Sequence, residues 1–240
     1  MQLTVTTFLS VDGVYQGPGG PEEDRSGDFD RGGWLVPHFD EATGQFMDEI
    51  FGEVDAFLLG RRTYEIFAAS WPNATDPNDM VASSLNTLPK YVASSTLHDP
   101  QWANTTVLQG DLGSAVRRLK EREGRELQVH GSGRLVQFLL GNDLVDRLNL
   151  LVFPVIVGAG RRLFPDSGIA TGLALDESRT TPSGVAIAVY RTSGRPEFGT
   201  VEVTRSDSLC GVLASTSSSH LPNLPDCLCY SALPRRSVSG

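Results

Sequence analysis

Between residues 1 and 205, short apolar segments alternate with segments of helical periodicity, and this alternation limits the possible fold more than any other feature. Segments 3–9 and 55–60 are rich in β-branched or large apolar residues, which favour strands. Segments 39–54 and 112–123 instead carry apolar residues at the spacing of a helix. Strands that alternate with helices in this way predict an α/β fold, built as one domain.

The last part of this region predicts a change of strand direction. Segments 184–191 and 200–205 have the pattern of antiparallel strands, and segment 146–157 reads as a long strand that runs through Pro154. Proline has no N–H to give to a neighbouring strand, so we expect an edge position or a bulge at this residue.

The composition changes near residue 205. Segment 206–240 is rich in Ser, Pro and Leu without a sustained period, and such a segment cannot assemble a packed core of its own. We predict a folded domain at 1–205 and a disordered tail at 206–240, with an interaction tail or a non-natural extension as the alternatives. All three cysteines, Cys210, Cys227 and Cys229, fall in this tail without zinc-ligand spacing, and no metal site is predicted.

The charge and the hydropathy pattern exclude several classes of partner. The formal net charge is −9, and an acidic surface repels phosphate backbones, so we expect no nucleic-acid partner. No apolar stretch approaches the roughly 20 residues of a membrane-spanning helix, and the N-terminus lacks a secretory signal. These features predict a cytoplasmic protein without a membrane partner.

Three predicted strand ends carry residues suited to binding an anion. In parallel α/β sheets, ligands bind outside the carboxyl ends of the strands, where glycines allow the backbone to approach a phosphate. The N-terminus of a following helix adds partial positive charge. Each end by itself also fits an ordinary strand-to-helix turn, but together they predict a groove for a dinucleotide. Two arginines and paired serines suit a 2′-phosphate, which favours NADPH over NADH. The residues are Gly60, Arg61, Arg62 and Thr63; Ser94 and Ser95; and Gly131, Ser132 and Gly133.

The motifs SVDG, W-x-x-P, LLGRRTYEIF, KYVASSTL, VHGSGRLV and LFP occur in this order along the chain. In this order they resemble the dihydrofolate reductase superfamily. Within it, they are similar to small reductase-like proteins related to the C-terminal reductase domain of the bifunctional riboflavin-biosynthesis deaminase-reductase. The similarity spans residues 1–205. It implies a dihydrofolate-reductase-like three-layer α/β/α fold, with a central mostly parallel sheet and antiparallel C-terminal strands.

The resemblance also implies NADPH as the cofactor and assigns residues to it. Arg134 and Leu135 join the nine residues named above, with Gly131 to Leu135 at the pyrophosphate and the two serines at the adenosine 2′-phosphate. Segment 10–20 corresponds to the loop that closes over the nicotinamide. Its glycines supply the mobility that a lid needs: Gly13, Gly17, Gly19 and Gly20.

The proton donor and the substrate wall are less firmly matched. The candidate catalytic acids are Asp12, which could instead only shape its turn, and Asp40. Asp40 follows the W-x-x-P motif one residue late, and one residue turns a helical side chain by about 100°, so Asp40 could cap the helix instead. His38 is a third candidate donor or a surface histidine. The predicted substrate wall consists of Trp34, Phe46 and Met47, together with Asp40. Core packing is the alternative for Phe46 and Met47.

The function implied by the resemblance is an NADPH-dependent reductase. It would transfer a hydride to a small heterocycle, either pterin-like or ribosylaminopyrimidine-like. One alternative is a non-catalytic NADPH-binding protein. Another is a stand-alone 5-amino-6-(5-phosphoribosylamino)uracil reductase of riboflavin biosynthesis, because the deaminase zinc motifs are missing here. Relatives in the riboflavin branch commonly form dimers, and segment 146–157 is the predicted edge for a homodimer.

Overall fold

The structure, a computed structural model, describes residues 1–74, 76, 78–166 and 168–201. Met1–Phe198 form one compact unit. A second unit is Gly199–Gly240, of which residues 199–201 are described. Most of the predicted strand at 200–205 and the whole predicted tail with its cysteines lie outside the described residues. The boundary at residue 205 therefore stays a prediction.

A mixed sheet forms the centre of the described part. The strand order is β4-β3-β2-β5-β1-β6-β8-β7, and β1 to β6 run parallel to one another. Strand β8 is antiparallel to both β6 and β7, as the sequence predicted for segment 184–191. The strands are β1 (Gln2–Ser10), β2 (Val54–Gly60), β3 (Lys90–Ala93), β4 (Thr105–Leu108), β5 (Glu126–His130), β6 (Arg147–Phe153), β7 (Leu173–Thr180) and β8 (Ala186–Thr192).

Helices cover both faces of this sheet. Successive side chains of a strand point to opposite faces, so Phe57 and Leu59 of β2 face one core, whereas Ala56 and Leu58 face the other. The described helices are α1 (Glu41–Gly52), α2 (Arg61–Ser70), α3 (Met80–Thr87), α4 (Leu112–Lys120) and α5 (Gly133–Gly141), with short 3₁₀ turns at Val36–His38 and Trp71–Asn73.

The two cores use different helices. Helices α1, α2 and α3 pack on the first face, with Phe46, Phe51 and Leu85 among the buried residues. Helices α4 and α5 pack on the second face, where Val116 and Leu139 are fully buried. The result is the three-layer α/β/α architecture that the sequence predicted.

The prediction for segment 146–157 was wrong in two respects. Strand β6 ends at Phe153, before the proline that cannot extend it, and it lies between β1 and β8 rather than at an edge. Its residues are largely buried, as expected for a strand with neighbours on both sides. The edges of the described sheet are β4 and β7. This strand therefore cannot supply the free edge for a homodimer.

Two elements were not predicted. Strand β7 has the sequence LALDESRT and is mostly exposed, so it lacks the apolar alternation that identifies a half-buried strand. Helix α3 is only eight residues long, too short for a clear period. Among the described residues, every helix is too short or too polar to cross a bilayer.

Candidate functional site

A cleft of about 1110 Å³ opens at the carboxyl ends of the parallel strands. Its floor includes Thr6, Thr7 and Phe8 of β1 and His130, the last residue of β5. Gly60 and Ala93, the last residues of β2 and β3, contribute one side. The cleft therefore occupies the position where α/β sheets bind their ligands.

The N-terminus of α2 faces this cleft. Gly60 is the N-cap residue, and no side chain caps the helix, so its first turn retains backbone N–H groups able to bind an anion. A Cβ atom on Gly60 would lie 2.9 Å from the Ser132 Oγ atom, closer than a real contact permits. Residue 60 must therefore be a glycine, because the turn between β5 and α5, which carries Ser132, approaches it so closely.

The N-terminus of α5 meets α2 at the same place. Gly131 and Ser132 both have left-handed backbone conformations, with φ of 61° and 63°. The Ser132 hydroxyl accepts a hydrogen bond from the Gly60 N–H at 3.0 Å and donates one to Thr63 Oγ1 at 2.6 Å. Ser132 therefore does not cap its own helix but joins the two helix starts into one polar cradle.

All residues predicted for the cofactor lie on the wall of this cleft. They are Gly60, Arg61, Arg62, Thr63, Ser94, Ser95, Gly131, Ser132, Gly133, Arg134 and Leu135. Ser94 Oγ accepts hydrogen bonds from the N–H groups of Thr96 and Leu97, at 3.1 and 3.0 Å. The Ser94 hydroxyl also lies 3.5 Å from Thr96 Oγ1, and Ser95 beside it is exposed.

Two acidic residues hold the arginines of α2. Arg61 pairs with Glu65 at 3.0 Å, one turn along the helix. Arg62 pairs at 2.9 Å with Asp24, whose side chain is only 6% exposed. Asp24 also pairs with Arg161. Burial acts to raise the pKa of Asp24, but hydrogen bonds from Ser26 and the charges of Arg161 and Arg62 outweigh it and lower the pKa.

Sequence reasoning missed Asp24 and Arg161, which both line the cleft. The signal for Arg161 was the basic pair Arg161-Arg162, which follows the glycines of the segment GAG after β6. Nothing in the sequence distinguishes Asp24 from its acidic neighbours Glu22 and Glu23, because only the folded loop buries it.

The predicted lid forms one wall of the cleft and is tightly anchored. Gly17, Gly19 and Gly20 line the cleft, whereas Gly13 is not among its described lining residues. Gln16 is only 2% exposed. Its amide donates to the carbonyls of Asp24 and Ser26, and its Oε1 accepts from the Arg161 N–H. The loop is therefore fixed at Gln16, next to its glycine-rich stretch.

The predicted substrate wall divides into one cleft residue and two core residues. Met47 of α1 lines the cleft, together with Phe51 of the same helix. Trp34 is buried against Phe153, and its Nε1 donates to the Gln16 carbonyl at 2.8 Å. Phe46 is 2% exposed, in the core beneath the same helix. Trp34 and Phe46 are therefore packing residues. Core packing was the alternative left open for Phe46, whereas Trp34 was predicted only as part of the substrate wall.

Asp12 anchors the turn after β1 and does not line the described cleft. Its carboxylate accepts hydrogen bonds from the N–H groups of Val157 and Gly158, at 3.0 and 2.9 Å, and from the Ser10 hydroxyl. Burial acts to raise its pKa, but these hydrogen bonds outweigh burial and lower the pKa to about 2. An ionised carboxylate with these partners does not support a proton-donor role.

Asp40 is the N-cap residue of α1. Its Oδ1 accepts from the Thr43 N–H at 2.8 Å, and its Oδ2 accepts from the Ser183 N–H at 2.9 Å. Desolvation is outweighed by these bonds, which lower the pKa of Asp40 well below its usual range. His38 lies in the 3₁₀ turn before the helix, and its carbonyl accepts from the Ser183 hydroxyl. Neither residue is among the described cleft residues, so the capping alternative for Asp40 fits the geometry.

Two other cleft residues have shifted pKa values, Glu23 and His130. Burial raises the pKa of Glu23, although the N–H groups of Gly19 and Gly20 oppose the shift by donating to its carboxylate. Burial lowers the pKa of His130 to about 4. Within the described part of the chain, no group of three His, Cys, Asp or Glu residues is arranged to hold a metal ion.

Comparison with known proteins gives a consistent result. A family model described as the RibD C-terminal domain matches residues 1–187. The chain is 27% identical over 196 residues to the protein YyaP of Bacillus subtilis strain 168, covering 80% of this chain and 96% of that protein.

Solved structures agree with the fold. A protein provisionally assigned to riboflavin biosynthesis, from Shewanella sp. PV-4, superposes with a TM-score of 0.61 at 21% identity, covering 80% of this chain and 99% of that one. A pyrimidine reductase-like protein from Corynebacterium diphtheriae gives a TM-score of 0.54 at 17% identity, covering 80% and 92%. At these identities the likeness concerns the fold alone.

Proposed function

Because this chain belongs to the RibD C-terminal domain family, an oxidoreductase family, we propose that it is an NADPH-dependent reductase of a small heterocyclic compound. The α/β fold expected from the resemblance is confirmed by the structural neighbours. The cofactor, the substrate and the residues that contact them are parts of the proposal.

One observation carries the proposal: the starts of α2 and α5 meet in a single cradle. Ser132 bridges Gly60 and Thr63, so the free N–H groups of two helices face one space. Arg61, Arg62 and Arg134 line this space, and an anion would share Arg61 with Glu65 and Arg62 with Asp24. The cradle suits the phosphates of a dinucleotide because helix N-termini and arginines both bind anions.

The close packing of Gly60 against Ser132 holds the two helix starts together, because a Cβ atom at residue 60 would contact the Ser132 side chain. Thr7 also lines the cleft and is 3% exposed, but its hydroxyl is fully buried and has no hydrogen-bond partner within the described residues. In this conformation the hydroxyl does not reach a molecule in the cleft.

The residues of the chain would have distinct parts in the reaction. A bound nicotinamide nucleotide supplies the hydride. Met47, Phe51 and Leu35 form an apolar wall that excludes water from the acceptor. Glu23 is a cleft acid with a raised pKa, which favours its protonated form compared with an ordinary glutamate. Glu23 and solvent are the proton sources that fit this geometry better than Asp12 or Asp40.

The test is a charge reversal at the cradle. Replacing both Arg61 and Arg62 with Glu turns two attractions for phosphate into repulsions, so we expect NADPH to bind at least about a hundredfold more weakly. The measurement is a fluorescence titration with NADPH, run beside one with NADH to test the preference for a 2′-phosphate.

A double variant at Arg117 and Arg118, also changed to Glu, is the matched control. These residues lie exposed on α4 outside the described cleft lining, and the change in net charge is identical. If both double variants bind NADPH equally well, the cradle is not the cofactor site.

A non-catalytic NADPH-binding protein is the second candidate, favoured by the structural roles of Asp12 and Asp40. Oxidation of NADPH with a panel of pterins, quinones and ribosylaminopyrimidines separates the two. Turnover of 5-amino-6-(5-phosphoribosylamino)uracil alone would identify the stand-alone riboflavin reductase. Binding without any turnover would support the non-catalytic candidate. A homodimer and a cytoplasmic location remain parts of this proposal.

A further inference from the structure

A buried histidine lies on the floor of the cleft and is not used by the cofactor cradle. His130 is 8% exposed, and its ring packs against Phe51 and Phe57, with ring centroids 4.9 and 5.8 Å away. It ends β5 immediately before the turn that begins α5. Its position next to the cradle suggests a role toward the molecule that receives the hydride.

The hydrogen bonds of Gln128 fix the state of this histidine. The Gln128 Nε2 donates to the Ile50 carbonyl at 2.6 Å and to the Glu126 carboxylate at 2.8 Å. Both partners are acceptors, so the amide cannot be flipped without losing both bonds. The Gln128 Oε1 therefore faces His130 Nε2, 3.0 Å away, and can only accept.

This arrangement selects one tautomer of the ring. His130 Nε2 must carry the hydrogen, and in a neutral imidazole the other nitrogen, Nδ1, then has a free lone pair. Burial lowers the pKa of His130 to about 4, which keeps the ring neutral at pH 7. Glu126 in turn forms an ion pair with Arg147, with 3.5 Å between Glu126 Oε1 and Arg147 Nη1.

The free nitrogen faces the space of the cleft. Within the described residues, Nδ1 has no hydrogen-bond partner, yet it is not among the fully buried polar atoms that lack one. It therefore reaches the cleft that the side chain lines. The surrounding wall includes the apolar residues Met47, Phe51 and Leu85, and Thr6, the partner of His130 in the register of β1 and β5, is its polar neighbour. Nδ1 therefore offers a neutral hydrogen-bond acceptor in largely apolar surroundings.

We propose that His130 Nδ1 accepts a hydrogen bond from a ring N–H of a flat, uncharged heterocyclic substrate, and that Gln128 and Glu126 are positioning residues that fix its tautomer. This proposal rests on the proposed reductase function and specifies its substrate class. A neutral acceptor among apolar side chains favours an uncharged N–H donor, because a substrate without one leaves Nδ1 unpaired.

The first experiment measures the tautomer in the whole protein. Histidine-selective ¹⁵N labelling and long-range ¹H–¹⁵N spectra distinguish Nε2–H from Nδ1–H, and a His130→Phe variant assigns the signal. We expect the Nε2–H form at pH 7 and a loss of this preference in Gln128→Met. An Nδ1–H or charged ring in the wild-type protein overturns the proposal, even when the Gln128 variant does not fold.

The second experiment tests recognition of the N–H group. The probes are pteridine-2,4-dione and its 1,3-dimethyl derivative, which lacks the ring N–H, titrated with and without NADP⁺. We expect the wild-type protein to prefer the unmethylated probe by about tenfold or more, and His130→Phe to lose this preference. His98→Ala, at an exposed histidine, is the matched control.

The two proposals can fail separately. The histidine proposal is overturned if the ¹⁵N signal of His130 Nδ1 does not shift when the unmethylated probe is added, or if the protein binds both probes equally well. Neither result would change the affinity for NADPH. The cradle proposal is overturned instead if the wild-type protein does not bind NADPH. A wild-type protein that binds neither probe also overturns the role of His130.

Discussion

At the scale of single residues, the surroundings of an acidic side chain decide whether its pKa is raised or lowered. Asp12, Asp24 and Asp40 are all acids near the cleft region, but hydrogen bonds and arginines hold all three in the ionised form. Glu23, with less compensation, has a raised pKa instead. The residue types alone indicated an acid–base site, but the contacts decide whether the pKa of each acid is raised or lowered.

Burial of His130 predicts a specific loss of stability in acid. Between pH 6.5 and about 4, the unfolded chain binds a proton that the native state does not, so the free energy of unfolding falls as the pH falls. Compared with its value above pH 6.5, the free energy of unfolding is lower by about 3 kcal/mol at pH 4. Urea unfolding at several pH values measures it.

A His130→Phe variant provides the comparison, since an aromatic ring is retained beside Phe51 and Phe57. Its stability should depend less on pH in this window than that of the wild-type protein. Identical pH slopes for the two proteins would mean that His130 titrates normally in the native state.

At the scale of elements, the relation between two helix starts defines the site. Helix α5 begins after two left-handed residues, and Tyr15 of the loop after β1 packs onto its first residue, Gly133. This contact brings the loop wall against the cradle. Neither helix needs the contact to form, so it belongs to the assembly of the site rather than to helix propensity.

Two glycine-to-alanine changes separate these effects. A Cβ at Gly133 would lie 2.6 Å from the Tyr15 ring, so Gly133→Ala should lower the free energy of unfolding by about 1–3 kcal/mol. At Gly44 in α1 the nearest atom is 3.8 Å away. Gly44→Ala should therefore raise the free energy of unfolding by about 0.4–1 kcal/mol. Thermal and urea unfolding measure both, and a stabilised Gly133→Ala would contradict the packing of Tyr15.

At the scale of the whole molecule, one compact unit contains the cleft. Every described cleft residue precedes Phe198, the last residue of that unit. Strand β6, which the sequence suggested as a free edge, is enclosed by β1 and β8. A homodimer would therefore need another surface.

Removal of residues 206–240 tests the domain boundary. Because that segment lacks the pattern of a packed core, we expect its deletion to leave the melting temperature and NADPH affinity unchanged within error. Calorimetry and the fluorescence titration on full-length and shortened proteins give the comparison. A fall in either quantity would mean that the segment contributes to the domain.

The three-layer class was implied by a family resemblance, whereas the sequence by itself determined the alternation of strands and helices and the glycines at the strand ends. These are properties of neighbouring residues. Only the tertiary structure decided that Trp34 and Phe46 pack in the core, that Asp12 and Asp40 anchor the backbone, and that Gln128 orients His130. Burial and hydrogen-bond partners depend on segments far apart in the chain, and no local pattern contains that information.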